Sequence, residues 1–376
     1  MKKKFTKIIV GNLLFFPMTC AMAAVWHPLN INQELPPDTI VETTIEQELQ
    51  PQKILARQQI NSDDLATHKY TQEQINKEVT PSKVSAAFSI GTITGGQAKE
   101  SLYLPNEGAN ISLLTWDIKN SPIIKTELNW NILPWLAFNI NGWTTFNDNH
   151  STMNDYDWLN EKNRSEVTDW SYHNNTRLNS ANHIDLNLTT WIVEKSDYKL
   201  GLTAGYQQDH FSWTTKGGSF KYSDKDNNQN YISDTAQSIQ GNFFDYLTVG
   251  GYKQNFKTPY IGLLGTYQKG NIALNTGIKY SKWSKVSTED QHYLRDMTIH
   301  TKAKSGQYFS ANVNAGYYVM PYTKLFAEIN WNQYKRNLGQ ISVIEDGETA
   351  YIDQNIEQSG TQNRYIGINT GLQYEF

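Results

Sequence analysis

From about Ser85 to the C-terminal Phe376, apolar and polar positions alternate with a period of two. In the stretch that begins at Ile124, Ile124, Thr126, Leu128, Trp130 and Ile132 share one parity, and Lys125, Glu127, Asn129 and Asn131 share the other. The same alternation runs through 184–192, 272–280, 311–319, 325–331 and 366–376. Successive side chains of a strand point to opposite faces, so the pattern predicts many strands, each greasy on one side and wet on the other. Residues 24–84 break the pattern. They are rich in Gln and Glu, carry Pro36, Pro37, Pro51 and Pro81, and hold nine acids against five bases with two aromatics, Trp26 and Tyr70. Such a block reads as a polar, flexible arm, with at most a weak amphipathic helix over 45–60. Ahead of it, Lys2, Lys3, Lys4 and Lys7 precede the apolar run 8–16, and Ala21-Met22-Ala23 offers a small-x-small cleavage site. This predicts a secretory signal peptide over 1–23, because the apolar run falls well short of the roughly 20 residues that span a bilayer. The expected organisation is therefore a signal peptide (1–23), an arm (24–84) and a strand-built domain (85–376).

Two architectures can carry one-sided strands: a sandwich whose outer face meets water, and a membrane barrel whose outer face meets lipid while its lumen is wet. Composition separates them. Only 38% of the 376 residues are hydrophobic and only 19% are charged, both below the usual share for a globular domain. A barrel with a polar lumen accounts for this directly, and closing the sheet pairs every backbone N–H and C=O that lipid would strand. Phe376 ends the last alternating run, and Trp and Tyr gather near strand ends, as in interfacial aromatic girdles. The expected fold is thus all-β: a transmembrane antiparallel β-barrel of about ten strands with long extracellular loops. The net charge is −4, and removing four leader lysines leaves 29 bases against 37 acids, which gives no reason to expect nucleic acid. Cys20 lies within the leader, so the mature chain would have neither disulfide nor cysteine chemistry.

Two short constellations place ionisable residues two apart: Asp155 with Asp157, and Asp290 with His292. On an extended strand each pair shares a face. Adjacent carboxylates resist joint ionisation, and a carboxylate beside an imidazole raises its basicity and fixes its tautomer. Facing each other, the pairs could hold and deprotonate a water. Spacing alone fits solvated turn chemistry as well. A calcium loop is disfavoured, since no closing Glu follows at the required spacing, and no metal site is expected. A third cluster, Asp169, Ser171 and His173, would suit a serine nucleophile with its base, or merely loop hydrogen bonding, which we prefer.

Further segments, in chain order, are Gly142-Trp143-Thr144-Thr145, Asp155-x-Asp157-Trp158, Gly205-Tyr206-Gln207, Lys216-Gly217-Gly218-Ser219, Gly251-Tyr252-Lys253-Gln254-x-Phe256-Lys257, Pro259-Tyr260-Ile261-Gly262 and Asn314-Ala315-Gly316-Tyr317-Tyr318-Val319. Together, over about 87–376, they resemble the omptin family of outer-membrane proteases. The resemblance implies a ten-stranded barrel in the outer membrane with an extracellular cleft, and an endopeptidase acting through aspartate and histidine without a covalent acyl-enzyme. On it, Asp155, Asp157, Asp290 and His292 are the catalytic candidates, and Asp169, Ser171 and His173 are supporting cleft residues. A basic side chain before the cut bond is expected to meet Glu100, while Thr288 stands where an aspartate is usual, which lowers the expected stringency. Glu289, next to Thr288, should face the other way. The expected partners are exposed peptides or proteins, the outer membrane, and lipopolysaccharide as an activator. No other cofactor is expected. Tyr206 and Lys304 match the lipopolysaccharide-binding pattern, whereas His210 and Asn255 replace arginines and Gln208 replaces a glutamate. Two other functions fit such a barrel: a catalytically silent adhesin or invasion factor using its outer loops, and a porin.

Overall fold

The computed structural model describes residues 84–104, 108–147, 149–224, 231, 238–353 and 359–376. The signal peptide, nearly all of the arm and part of the loop 227–248 lie outside the described residues. The strands are β1 (Val84–Tyr103), β2 (Asn110–Ile118), β3 (Ser121–Leu133), β4 (Leu136–Thr145), β5 (Asn149–Asp157), β6 (Asp169–Glu194) and β7 (Tyr198–Tyr222). They continue with β8 (Ile239–Lys269), β9 (Ile272–His292), β10 (Met297–Met320), β11 (Thr323–Glu345), β12 (Glu348–Asp353) and β13 (Ser359–Glu375). Three of the staves are interrupted. β1 pairs with β2 over its upper half and with β3 over its lower half, and the break between β2 and β3 is a turn at Asn120, whose φ is 31°. In the same way β4 and β5 share β6, and β12 and β13 share β11. Among the described residues, the thirteen strands therefore make ten staves. All neighbours are antiparallel, and β13 closes the ring on β1.

The alternating parities become the two walls. Outward residues are apolar and exposed, among them Phe88, Leu128, Ile184, Leu202, Ile278, Val313, Ile329 and Leu372. At the end where the chain turns tightly, Trp135, Tyr198, Tyr267 and Tyr322 stand exposed around the rim, and Tyr206, Tyr280, Trp283 and Trp331 mark the other edge of the apolar band. This is the surface a bilayer covers, with aromatic rings at each interface. No helix of the described residues is long and apolar enough to cross a membrane.

Inward residues explain why the chain is poor in hydrophobic residues yet rich in Asn and Thr. A lumen cavity of about 1130 Å³ lies toward the tight-turn end. Its wall carries Lys125 hydrogen-bonded to Glu328 at 2.5 Å, Lys279 paired with Asp185, and an asparagine ladder in which Asn139 bridges Asn129 and Asn187. Lys125 and Lys279 thus each meet an opposite charge, which offsets the cost of burial in a narrow lumen. Above this cavity the lumen is filled. One apolar cluster includes Ile93, Trp116, Met153, Leu178, Phe211, Trp213, Tyr252 and Tyr365. A second holds Phe256, Val286, Ala303, Tyr308 and Tyr334. Between them the two clusters draw a side chain from every stave, so they form a floor across the whole barrel. Trp116 stacks on Tyr252 at 5.6 Å, and Phe211 stacks on Trp213 at 5.8 Å. A floor of interlocked rings fits a small barrel packed by its own side chains.

Candidate active site

Above the aromatic floor the staves continue beyond the apolar band, and the ionisable residues collect there. β5 is held between β2 and β6, with Asp155 opposite Leu114 and Ser171, and Asp157 opposite Ser112 and Asp169. Asp155 is buried and its Oδ1 has no hydrogen-bond partner. Burial first, then the neighbouring Asp157 and Asp290, hold its carboxyl well above the usual carboxylate range. The Asp157 carboxyl is pushed up by burial to about 6, held down there by a hydrogen bond from Ser112 and by the charges of Arg295 and His292. Burial and mutual repulsion thus raise both carboxyls, and the two do not ionise independently.

β9 ends at the same level. Asp290 lies opposite Tyr252 and Ile299, and its Oδ2 is 2.9 Å from Nε2 of His292. Nδ1 of His292 is 2.9 Å from Nη2 of Arg295, on the 3₁₀ turn Tyr293–Arg295. Guanidinium only donates. Nδ1 must therefore accept, which places the ring proton on Nε2, where it is donated to Asp290. Asp155, Asp290, His292 and Arg295, with Trp116 and His173, line a cleft of about 30 Å³. That volume holds a water, and polar groups approach it from several sides.

The third cluster packs behind Asp155. His173 Nδ1 is 2.5 Å from the carbonyl oxygen of Gly217, so it carries the proton, and Nε2 accepts from Ser171 Oγ at 3.0 Å. Asp169, Ser171 and His173 are all buried, and burial pushes the His173 imidazole down. Gly218, at φ 109°, leaves room for the ring: a Cβ there would lie 2.4 Å from His173 Nδ1. Ser171 donates to His173 rather than facing the cleft, and Asp169 accepts from the backbone N–H of Ser223, so the cluster supports the wall behind Asp155 by hydrogen bonding.

Glu100 points inward from β1 and is buried against β9, β10 and β13. Its Oε1 accepts from Thr301 and Ser359 at 3.0 Å and from Thr288 at 3.2 Å, while Oε2 is buried with no hydrogen-bond partner. Burial and, next, the charge of Asp290 push this carboxyl up to about 8. Thr288 precedes Asp290 by one strand repeat, so the hydroxyl that meets Glu100 and the dyad share one face of β9. Glu289 points to the other face and pairs with Lys253 at 2.8 Å.

On the outer wall, Tyr206 accepts from Gln208 at 3.1 Å, and His210 contacts Asn255 at 2.7 Å. Lys304 is three staves away on β10, exposed with Lys257, Lys285, Lys302 and Lys335 beyond the apolar band. Sequence reasoning missed Ser112 and Arg295. Ser112 carries no local signal, because only strand register brings it to Asp157. Arg295 had one: a base three residues after the candidate histidine.

The Omptin family profile matches residues 80–376. The plasminogen activator of Yersinia pestis is 38% identical over 303 residues, covering 81% of this chain and 93% of that protein. The outer membrane protease OmpP of Escherichia coli K12 is 37% identical over 297 residues, covering 79% and 91%. Among solved structures, the outer membrane protease OmpT of Escherichia coli superposes with a TM-score of 0.72 at 36% identity, covering 79% of this chain and 98% of that one.

Proposed function

The chain belongs to the omptin family of outer-membrane proteases, and we propose that it cuts exposed polypeptides by activating a water between Asp155/Asp157 and Asp290/His292. The observation that carries this reading is the single cleft in which Asp155, from β5, meets Asp290 and His292, from the end of β9. With Nε2 committed to Asp290, His292 takes the water's proton at Nδ1, and ionised Asp290 balances the imidazolium that forms. The hydroxide equivalent attacks the scissile carbonyl. The proton shared by Asp155 and Asp157 is placed to meet the developing oxyanion or the departing amine, so no covalent intermediate is needed.

Substrate choice follows from Glu100. Its unpartnered Oε2 suits a Lys or Arg side chain before the cut bond, and Thr288 adds a hydroxyl rather than a second charge. Preference for basic residues is expected, with lower stringency than a two-acid pocket would give. Lipopolysaccharide, as activator, meets the exposed lysines of β8 to β11 through its phosphates, with Tyr206 at the band's edge. A fluorogenic peptide containing Arg-Arg tests the whole reading. The wild-type barrel refolded with lipopolysaccharide should cleave it, and His292→Ala and Asp155→Ala should lose turnover by orders of magnitude. Near-normal cleavage by folded variants would remove the mechanism. Assembly of all four residues beside a pocket favours this over a silent adhesin.

A further inference from the structure

We propose that Arg295 is a displaceable cap on the general base, holding the resting site shut until substrate enters; this rests on the role given above to His292. The imidazole has two nitrogens and both are engaged. Nε2 donates to Asp290, and Nδ1, which bears the only lone pair, accepts from Arg295 at 2.9 Å. A guanidinium cannot surrender its proton to the ring, so the lone pair is occupied while Arg295 stays. A water in the cleft then has no base to receive its proton. The cap must leave Nδ1 before each turnover.

The backbone around Arg295 suits such a movement. Arg295 ends the short turn Tyr293–Arg295 between β9 and β10, and the next residue, Asp296, has φ 44° and ψ 41°, in the left-handed region. Arg295 lines the same cleft as Asp155, and its charge acts on both Asp155 and Asp157. An anionic resting place therefore lies across the cleft. Moving there frees Nδ1, keeps the cation desolvated beside carboxylate, and clears the position from which water reaches the peptide. A peptide carbonyl entering the cleft competes for the same N–H groups and draws them off the imidazole.

The direct readout is the accessibility of that lone pair. Diethyl pyrocarbonate acylates unprotonated imidazole nitrogen, and mass spectrometry of the peptide containing His292 follows the rate in the folded barrel without substrate. Arg295→Ala should speed acylation of His292 by about tenfold or more, the reach of one charge-assisted hydrogen bond. Arg295→Gln, which is shorter and uncharged, should behave likewise, and other histidines should react as before. Folding is checked by the electrophoretic mobility shift of the unheated barrel. Cleavage of the Arg-Arg peptide is read as a pH profile, because losing the Arg295 charge also raises the Asp155 and Asp157 carboxyls and moves the acid limb upward. Equal acylation rates in wild type and both variants would overturn the cap. So would a large fall in kcat that persists across the whole pH profile, which would make Arg295 part of the chemistry. His292→Ala separates the two ideas, since retained cleavage there defeats the catalytic role while the acylation result stands on its own.

Discussion

Glu100→Gln is the most informative single change, because one group couples pocket chemistry to barrel stability. The carboxyl is 1% exposed and its value is pushed from 4.5 to about 8. The folded state thus binds the proton more tightly than the unfolded state. Stability is complete below the unfolded value near 4.5 and is lost as pH rises toward about 8, with a total cost on the order of 5 kcal/mol once the group is ionised. Gln keeps an acceptor for Thr288, Thr301 and Ser359 and never ionises. The variant should therefore resist thermal unfolding in detergent better than wild type at about pH 9, and the difference should vanish near pH 4. Substrate reports the same proton. A cationic side chain bound beside Glu100 stabilises the carboxylate, so its binding releases a proton below about pH 8. The KM for an Arg peptide should fall about fivefold as pH rises from about 7 to about 8, while the KM for its norleucine counterpart stays level. Glu100→Gln should abolish that difference. Parallel pH profiles for the two peptides in wild type would refute the reasoning, as would a variant no more stable than wild type in alkali.

The remaining predictions concern the cleft, the pocket and the outer wall. The acid limb of kcat should lie near pH 6, where Asp157 gains its proton; Ser112→Ala removes a hydrogen bond that lowers this value, so the limb should move upward in a pH–rate profile. Thr288→Asp should raise discrimination for Arg over norleucine by about tenfold or more, read from kcat/KM on the paired peptides. Replacing Lys302 and Lys304 together by Glu should increase the lipopolysaccharide needed for half-maximal activity and leave the refolded barrel intact. Trp213→Ala opens the floor beneath the cleft, should cost about 3–5 kcal/mol by loss of packing, and should be the variant to show ion conductance in planar bilayers if any does.

Legibility from sequence followed the range of the interaction. Strand parity is local, and the runs at 124–132, 184–192 and 366–376 emerge as one lipid-facing and one lumen-facing wall because a period of two survives any barrel that keeps its strands straight. The interrupted staves were not legible. The break at Asn120 looks like an ordinary turn until β1 is seen to pair on both sides of it. At the site, residues two apart could be paired in advance, as with Asp290 and His292, since the strand itself sets their distance. What joins β5 to β9 is the curvature of a closed sheet, which no local pattern encodes, and for that the resemblance supplied the only guide. Ser112, Arg295 and Thr301 reach their partners across strands, through register or a turn, and each adjusts a charge that sequence reasoning had already noticed. The residues that carry the proposed chemistry are thus the more legible set, while those that tune it are written in the fold. Thr288 gives Glu100 a hydroxyl donor beside those of Thr301 and Ser359, while burial and, next, the charge of Asp290 raise the carboxyl to about 8. The expected pH dependence of substrate choice therefore comes from burial and from a neighbour two positions beyond Thr288 on β9, and burial of this kind has no local signature in the sequence.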